Sequence, residues 1–297
     1  HQKDIVRTAI RKFGLTRPAI LKHMHALIIA GRIAVQGSTR DRTYTLLPTV
    51  DYLQAFPLTP ELSMDELIHK EFLFLFKAMS NNVMEICEFG LTALLNNVVD
   101  HARAKHFIIK LLVIGQNIQI QIMDDGIGIF RYVSEKLELN NKHLSALELA
   151  KGKLTTDPDY HAGDDLPVVM HLFDQVNIVA NGIYMTYDNF NDSWKLKKGK
   201  TKSGTFIELK VNSSTKRSCA EVFKNLFEKK RIVRAPVVLA RFNDEKLISR
   251  GQVECLVHNI SDLDEIEFDF KGVNIIGPAF ADALIRKTKE KNGSINV

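Results

Sequence analysis

The chain has 297 residues, 45% of them hydrophobic and 25% charged, a balance that excludes a disordered tail, a collagen-like fibre and a disulfide-stapled miniprotein. Apolar-rich stretches such as Phe107 to Ile114 run to about eight residues, far short of the roughly 20 that a membrane-spanning helix needs, so no membrane partner is expected. The net charge of +5 is unevenly placed: residues 1–50 carry +7 and the rest −2, so an acidic partner is expected at the N-terminal segment.

Residue 1 is His, with charged rather than apolar residues after it, and no signal peptide is expected. Residues 4–13 place Ile5, Ala9 and Phe13 on one helical face, and Gly14 breaks that helix. Thr16 is an N-cap candidate for a second helix that stops at Gly31, with Leu21, Met24, Leu27 and Ile28 expected toward a core. Residues 32–47 read as a two-stranded hairpin with a basic loop. Pro48, Pro57 and Pro60 mark residues 49–62 as a linker. A long helical tract follows to about His101, then strands at 107–114 and 118–123. Residues 131–172 read as helix and loop, and more strands are expected near 175–180, 184–187 and 205–211. A last unit begins near Lys216, with strands expected at 237–240 and 265–270 and helices at 250–260 and 279–291. Cys87, Cys219 and Cys255 are far apart and odd in number, which argues against a zinc cluster or disulfide framework and suits a cytoplasmic location.

The order helix, glycine turn, helix, hairpin over residues 4–46 resembles a winged helix-turn-helix. The resemblance implies that residues 4–13 are the second helix of three, with the first lying before residue 1. It also implies that Arg17, Lys22 and His23 face the major groove of double-stranded DNA, with Arg40 and Arg42 at the wing tip beside phosphates. A basic helical hairpin that merely docks on the rest of the protein is the alternative.

Two motifs carry the central reading. The first is LLNNVVDHA at 94–102, late in a helix; the second is DDGIGI at 124–129, directly after a strand. With SGTFIEL at 203–209, they resemble the boxes of the GHKL ATPases, a superfamily that includes gyrase, MutL and the histidine kinases. The resemblance implies a nucleotide site for ATP and Mg²⁺. Asn97 matches the magnesium ligand, a neutral amide that adds no charge beside the phosphates. Asp124 matches the carboxylate that accepts from the adenine amino group. Gly126 and Gly128 allow close backbone approach, and Thr205 adds a hydroxyl on the adenine side. Lys151 and Lys153 are candidate phosphate partners, and Gly163 matches a glycine of the lid.

The sequence departs from the pattern at two places. Ala93 stands where hydrolytic members carry the Glu that activates water, so the general base is missing while the metal ligand is kept. Natural loss and deliberate replacement to trap nucleotide both account for that Ala. At the lid, Asp164 and Asp165 precede a helix whose N-terminus would otherwise cradle phosphate.

Toward the C-terminus, the runs at 236–252, 267–273 and 276–283 resemble the STAS-like domain of unknown function, which implies a site for a protein partner. No Ser or Thr stands at the 274–278 strand–helix junction, so phosphoryl transfer onto that spot is not expected. Together these resemblances imply an α+β multidomain chain. It comprises a winged helix-turn-helix (1–48), a linker (49–62), a GHKL nucleotide-binding α/β sandwich (63–215) and a STAS-like domain (216–297). They imply a regulator that couples nucleotide state to DNA or protein binding, and they leave room for a homodimer. A slow ATPase or a Ser/Thr kinase is the enzymatic alternative; a nucleotide-free scaffold is the third.

Overall fold

A computed structural model describes residues 4–38, 41–139, 142–152, 165–200, 203–227, 232–241, 245–258, 260 and 265–291. The fold is mixed α/β, and no described helix is long and apolar enough to cross a membrane.

The N-terminal unit contains α1 (Ile5–Phe13), α2 (Arg17–Ile29) and the antiparallel pair β1 (Ile33–Gln36) and β2 (Thr43–Leu46). Gly14 ends α1 in the left-handed conformation, its amide bonded to Ile10. Thr16 occupies the N-cap of α2 in an extended conformation but makes no side-chain capping bond. The unit has a small core of its own: Ile20, Met24, Ile33 and Tyr44. The stripe of α2 that faces it is Ile20, Met24 and Ile28, spaced by four. Leu21 and Leu27, expected inside, flank that stripe and stay 39% and 42% exposed.

Among the described residues, β3 (Val50–Pro57), β4 (His106–Ile114), β5 (Asn117–Asp124), β6 (Gln175–Ala180), β7 (Ile183–Asp188), β8 (Ser193–Lys198) and β9 (Thr205–Asn212) form one seven-stranded antiparallel sheet in the order β3-β4-β5-β9-β6-β7-β8. The stretch expected as a linker therefore supplies an edge strand, paired with β4 (His106–Ile114) from Val50↔Val113 to Pro57↔His106. Alternation explains the strand: Tyr52 and Phe56 turn to the same side and pack edge-on against Phe72, at 5.1 and 6.4 Å between ring centroids. Pro57 closes the strand at an edge, where a missing N–H is tolerated.

The expected long helical tract is broken. It runs as α3 (Met64–Leu67), a π turn (Ile68–Phe72), α4 (Leu73–Phe76) and then α5 (Asn81–His101). Val83, Ile86, Cys87, Gly90, Leu91, Leu94, Leu95 and Val98 bury one stripe of α5. Gly90 allows close approach: a Cβ there would lie 2.5 Å from two atoms of the Phe173 ring. Following β5 (Asn117–Asp124) come α6 (Ile129–Lys136), α7 (Lys142–Lys151) and α8 (Asp165–Leu172), then β6 (Gln175–Ala180) and β7 (Ile183–Asp188). Strand β8 (Ser193–Lys198) was not expected, because its lysines hide the alternation around Trp194 and Leu196.

Helix α9 (Cys219–Phe227) packs against the central layer, with Phe223 edge-on to Phe89 at 5.5 Å. The parallel pair β10 (Ile232–Pro236) and β11 (Glu265–Asp269) follows, with α10 (Arg250–Leu256) and α11 (Pro278–Lys291). The strand expected at 237–240 is a 3₁₀ turn, and the strand itself lies just before it. One hydrophobic core runs from the sheet layer into these C-terminal elements through Val233, Leu239, Leu256 and Phe280.

The Phe173 contact yields a test. Gly90→Ala should lower stability by about 1–3 kcal/mol through overpacking, read as a lower melting temperature. An unchanged melt would show that the ring has room to move.

Candidate functional site

The floor of the site is the end of β5. Asp124 is buried, 6% exposed. Its Oδ1 accepts from the Gly126 amide at 2.8 Å and the Thr205 amide at 3.2 Å. Burial pushes its carboxyl above the usual range, against the pull of those two amides and of the Thr205 hydroxyl. The next residue behaves oppositely. Asp125 is exposed and accepts from the amides of His106 at 3.0 Å and Lys105 at 2.7 Å, with the His106 ring at 3.0 Å from Oδ2. Those bonds, the His106 amide first, hold its carboxyl down at about 2.

Three glycines let the backbone close around Asp124. A Cβ on Gly126 would overlap the Ala102 carbonyl oxygen at the end of α5, which instead accepts from Ile127 at 2.9 Å. A Cβ on Gly204 would overlap the backbone of Asp124, and Gly204 donates to the Gly126 carbonyl at 2.7 Å. Gly128 takes φ +86°. Its neighbour Asn181, in the β6–β7 turn, accepts from the Arg131 amide at 3.0 Å and donates to the Ile127 carbonyl at 2.9 Å. Thr205 Oγ1 accepts from the Ile129 amide at 3.0 Å. Two free amides at the start of α6 are thus capped by side chains from β9 and the β6–β7 turn. Asn181 escaped the sequence reading. The Asn-Gly pair at 181–182 signals a hairpin turn, but nothing local tells that its side chain braces α6.

Above Asp124 lies a pocket between α5, α6, α7 and the start of α8. Ile122, Ile129, Val133, Leu149 and Ile207 give it apolar walls, and Tyr132 closes one side, stacked on His101 at 4.9 Å and 22°. Asn97, Asp100, Asp124, Asp165 and Thr205 bring polar groups to it. No Lys or Arg lines it among the described residues. No group of three His, Cys, Asp or Glu among the described residues could hold a metal ion.

The structure brings Asn97, Asp124, Gly128 and Thr205 to one pocket, and Gly126 shapes its floor. Ala93, one turn before Asn97, is buried at 3% exposure and does not line the pocket. Lys151 is a correction. Its side chain is 3% exposed and pairs with Glu148 at 2.8 Å, turned from the pocket toward α10. The geometry of a helix explains this: Glu148 and Lys151 share one stripe of α7, while Leu149 and Gly152, the latter just past its end, share the neighbouring one. Lys153, Gly163 and Asp164 lie outside the described residues, as does Arg40. Arg17, Lys22 and His23 are exposed along α2, and Arg42 is exposed at the start of β2.

Residues 254–297 match the STAS-like domain of unknown function (DUF4325). A comparison with curated proteins gives no match.

The paired carboxylates give a pH-dependent expectation. Because folding lowers the Asp125 value from 3.8 to about 2, its contribution is complete above 3.8 and is lost as pH falls through about 2. The melting-temperature gap between the parent chain and Asp125→Asn should therefore be widest near neutral pH and close toward pH 2. A gap that persists at the acid end would exclude the carboxylate's charge as its source.

Proposed function

We propose that the chain is a nucleotide-binding regulator of the GHKL type, with adenine seated on Asp124 and a magnesium-bound phosphate chain beside Asn97. One observation carries the reading: a buried carboxylate and a helix amide 27 residues apart in sequence border the same apolar-walled pocket. A carboxylate at the floor accepts from an exocyclic amine, and the apolar walls suit a purine ring. Asn97 supplies one neutral ligand to Mg²⁺, and phosphate oxygens and water complete the shell. Three carboxylates at the pocket and no described cation make a bare triphosphate a poor fit, so the metal ion enters with the nucleotide. Ala93 offers no base to activate water, so the proposed role is occupancy rather than rapid turnover.

At the N-terminus, the exposed Arg17, Lys22 and His23 on α2, together with Arg42 on the hairpin, support a phosphate-contacting surface for double-stranded DNA. The STAS-like residues are the proposed contact for a protein partner.

Calorimetry with ATP and Mg²⁺ tests the pocket. Binding is expected in the parent chain and should weaken about 10- to 100-fold in Asp124→Asn, given roughly 1.5–3 kcal/mol for a hydrogen bond to a charged group. The Asn carbonyl can still accept from Gly126 and Thr205, so this variant should stay folded. Equal affinity in both chains would remove Asp124 from the site. Ala93→Glu should raise phosphate release above the parent rate, and no gain would show that position 93 is not a vacated base.

The DNA surface has its own test. Replacing Arg17 and Lys22 with Ala should weaken gel-shift affinity and flatten its salt dependence by about two ion-release units. An unchanged salt slope would place any DNA contact elsewhere.

A further inference from the structure

Two sets of polar contacts fasten the C-terminal elements to the central layer, beside the hydrophobic core they share. At the first, Arg234 in β10 reaches the β7–β8 turn, where its guanidinium lies 2.7 Å from Asp192. The same group stands 3.2 Å from Asp269 and 3.4 Å from Glu267 on β11. Tyr187 donates to Asp192 at 3.0 Å, tying the turn to the sheet.

At the second point the partner is α7. The Lys151 ammonium meets Glu148 at 2.8 Å, with side chains 3% and 6% exposed. It also donates to the carbonyls of Cys255 at 3.3 Å and His258 at 3.0 Å. Three acceptors thus surround three N–H bonds, the environment of a charged ammonium. The Cys255 carbonyl belongs to the last turn of α10, where the helix carries partial negative charge, and the His258 carbonyl lies just past the helix end. Both residues fall within the span that matches the STAS-like domain. The His258 ring adds a further contact, 3.7 Å from Glu148.

The adjacent stripe of α7 and the residue just past its end belong to the pocket. Leu149 and Gly152 line it, interleaved in sequence with Glu148 and Lys151. Gly152 abuts Pro167 of α8, which lines the pocket too: a Cβ on Gly152 would sit 3.1 Å from that ring. One short helix is therefore both a pocket wall and the seat of the STAS-like segment.

We propose that occupancy of the pocket and docking of the STAS-like segment are linked through α7, with Lys151 as the positioning residue. The inference rests on the pocket being a ligand site, as argued above. Docking holds Leu149 and Gly152 in place, so the ligand meets a wall that is already formed. Linkage then works in both directions: a ligand that braces α7 tightens the seat, and an empty pocket weakens it. The function of Lys151 is thus to fasten a wall rather than to contact phosphate.

Amide hydrogen exchange and ATP–Mg²⁺ calorimetry on the full chain test this. Asp192→Asn loosens the segment through Arg234 of β10, a strand that itself packs on α7. The double variant Glu148→Gln with Lys151→Met cuts the near contact without leaving one buried charge unpaired. Both should speed exchange across 250–257 and, with it, across 142–151. Both should also weaken ATP binding about fivefold or more, the usual lower range of coupling between sites. In the parent chain, ATP–Mg²⁺ should slow exchange across 250–257, although that segment does not line the pocket. Faster exchange at 250–257 with 142–151 and ATP affinity unchanged would overturn the linkage. Should the parent take no nucleotide, the pocket reading fails on calorimetry, and exchange at 142–151 in Asp192→Asn still decides whether the segment fastens α7.

Discussion

Burying a carboxylate at the end of a strand sets the terms for the middle of this protein. Asp124 loses water on folding, and two backbone amides and a hydroxyl partly replace it. Those donors come from Gly126 and Thr205, so the loop after β5 must fold back while β9 arrives beside it. That crowding excludes side chains at Gly126 and Gly204. It also carries Thr205 to the start of α6, where its hydroxyl caps a free amide. The adjacent Asp125 shows the contrast: at an exposed site the His106 amide, with the Lys105 amide and the His106 ring, outweighs desolvation and lowers the carboxyl.

Helix α7 is the second constraint. Its apolar side closes the pocket, and its charged side buries an ion pair that would be costly without full partners. Those partners are carbonyls at the end of α10, so the central layer and the C-terminal residues complete one another's hydrogen bonding. The continuous hydrophobic core across the same boundary agrees with this. The small N-terminal unit differs, with a core separate from the main one.

Much of the architecture was legible from local pattern. The strands at β4, β5 and β9 lie where they were expected, the helical tract ends at His101 as expected, and Gly14 and Gly31 marked the ends of α1 and α2, both with positive φ. Errors arose where a tertiary partner outweighed composition. Three prolines concealed an edge strand that aromatic packing on Phe72 secures. Lysines concealed β8, because an edge strand keeps charge on its open side. The 3₁₀ turn at Val237–Ala240 has the apolar content of a strand but makes no strand pairing among the described residues.

For the site, it was the resemblance of LLNNVVDHA and DDGIGI to the GHKL boxes that pointed to Asn97 and Asp124. Which groups share the pocket was a matter of tertiary structure. Lys151 looked like a phosphate partner, yet the phase of α7 sends it to α10 instead. Asn181 looked like an ordinary turn residue, yet sheet order sets it against α6. Sequence records which chemistry each position carries, whereas the direction a side chain faces depends on helix phase and strand order, which arise only when distant segments pack.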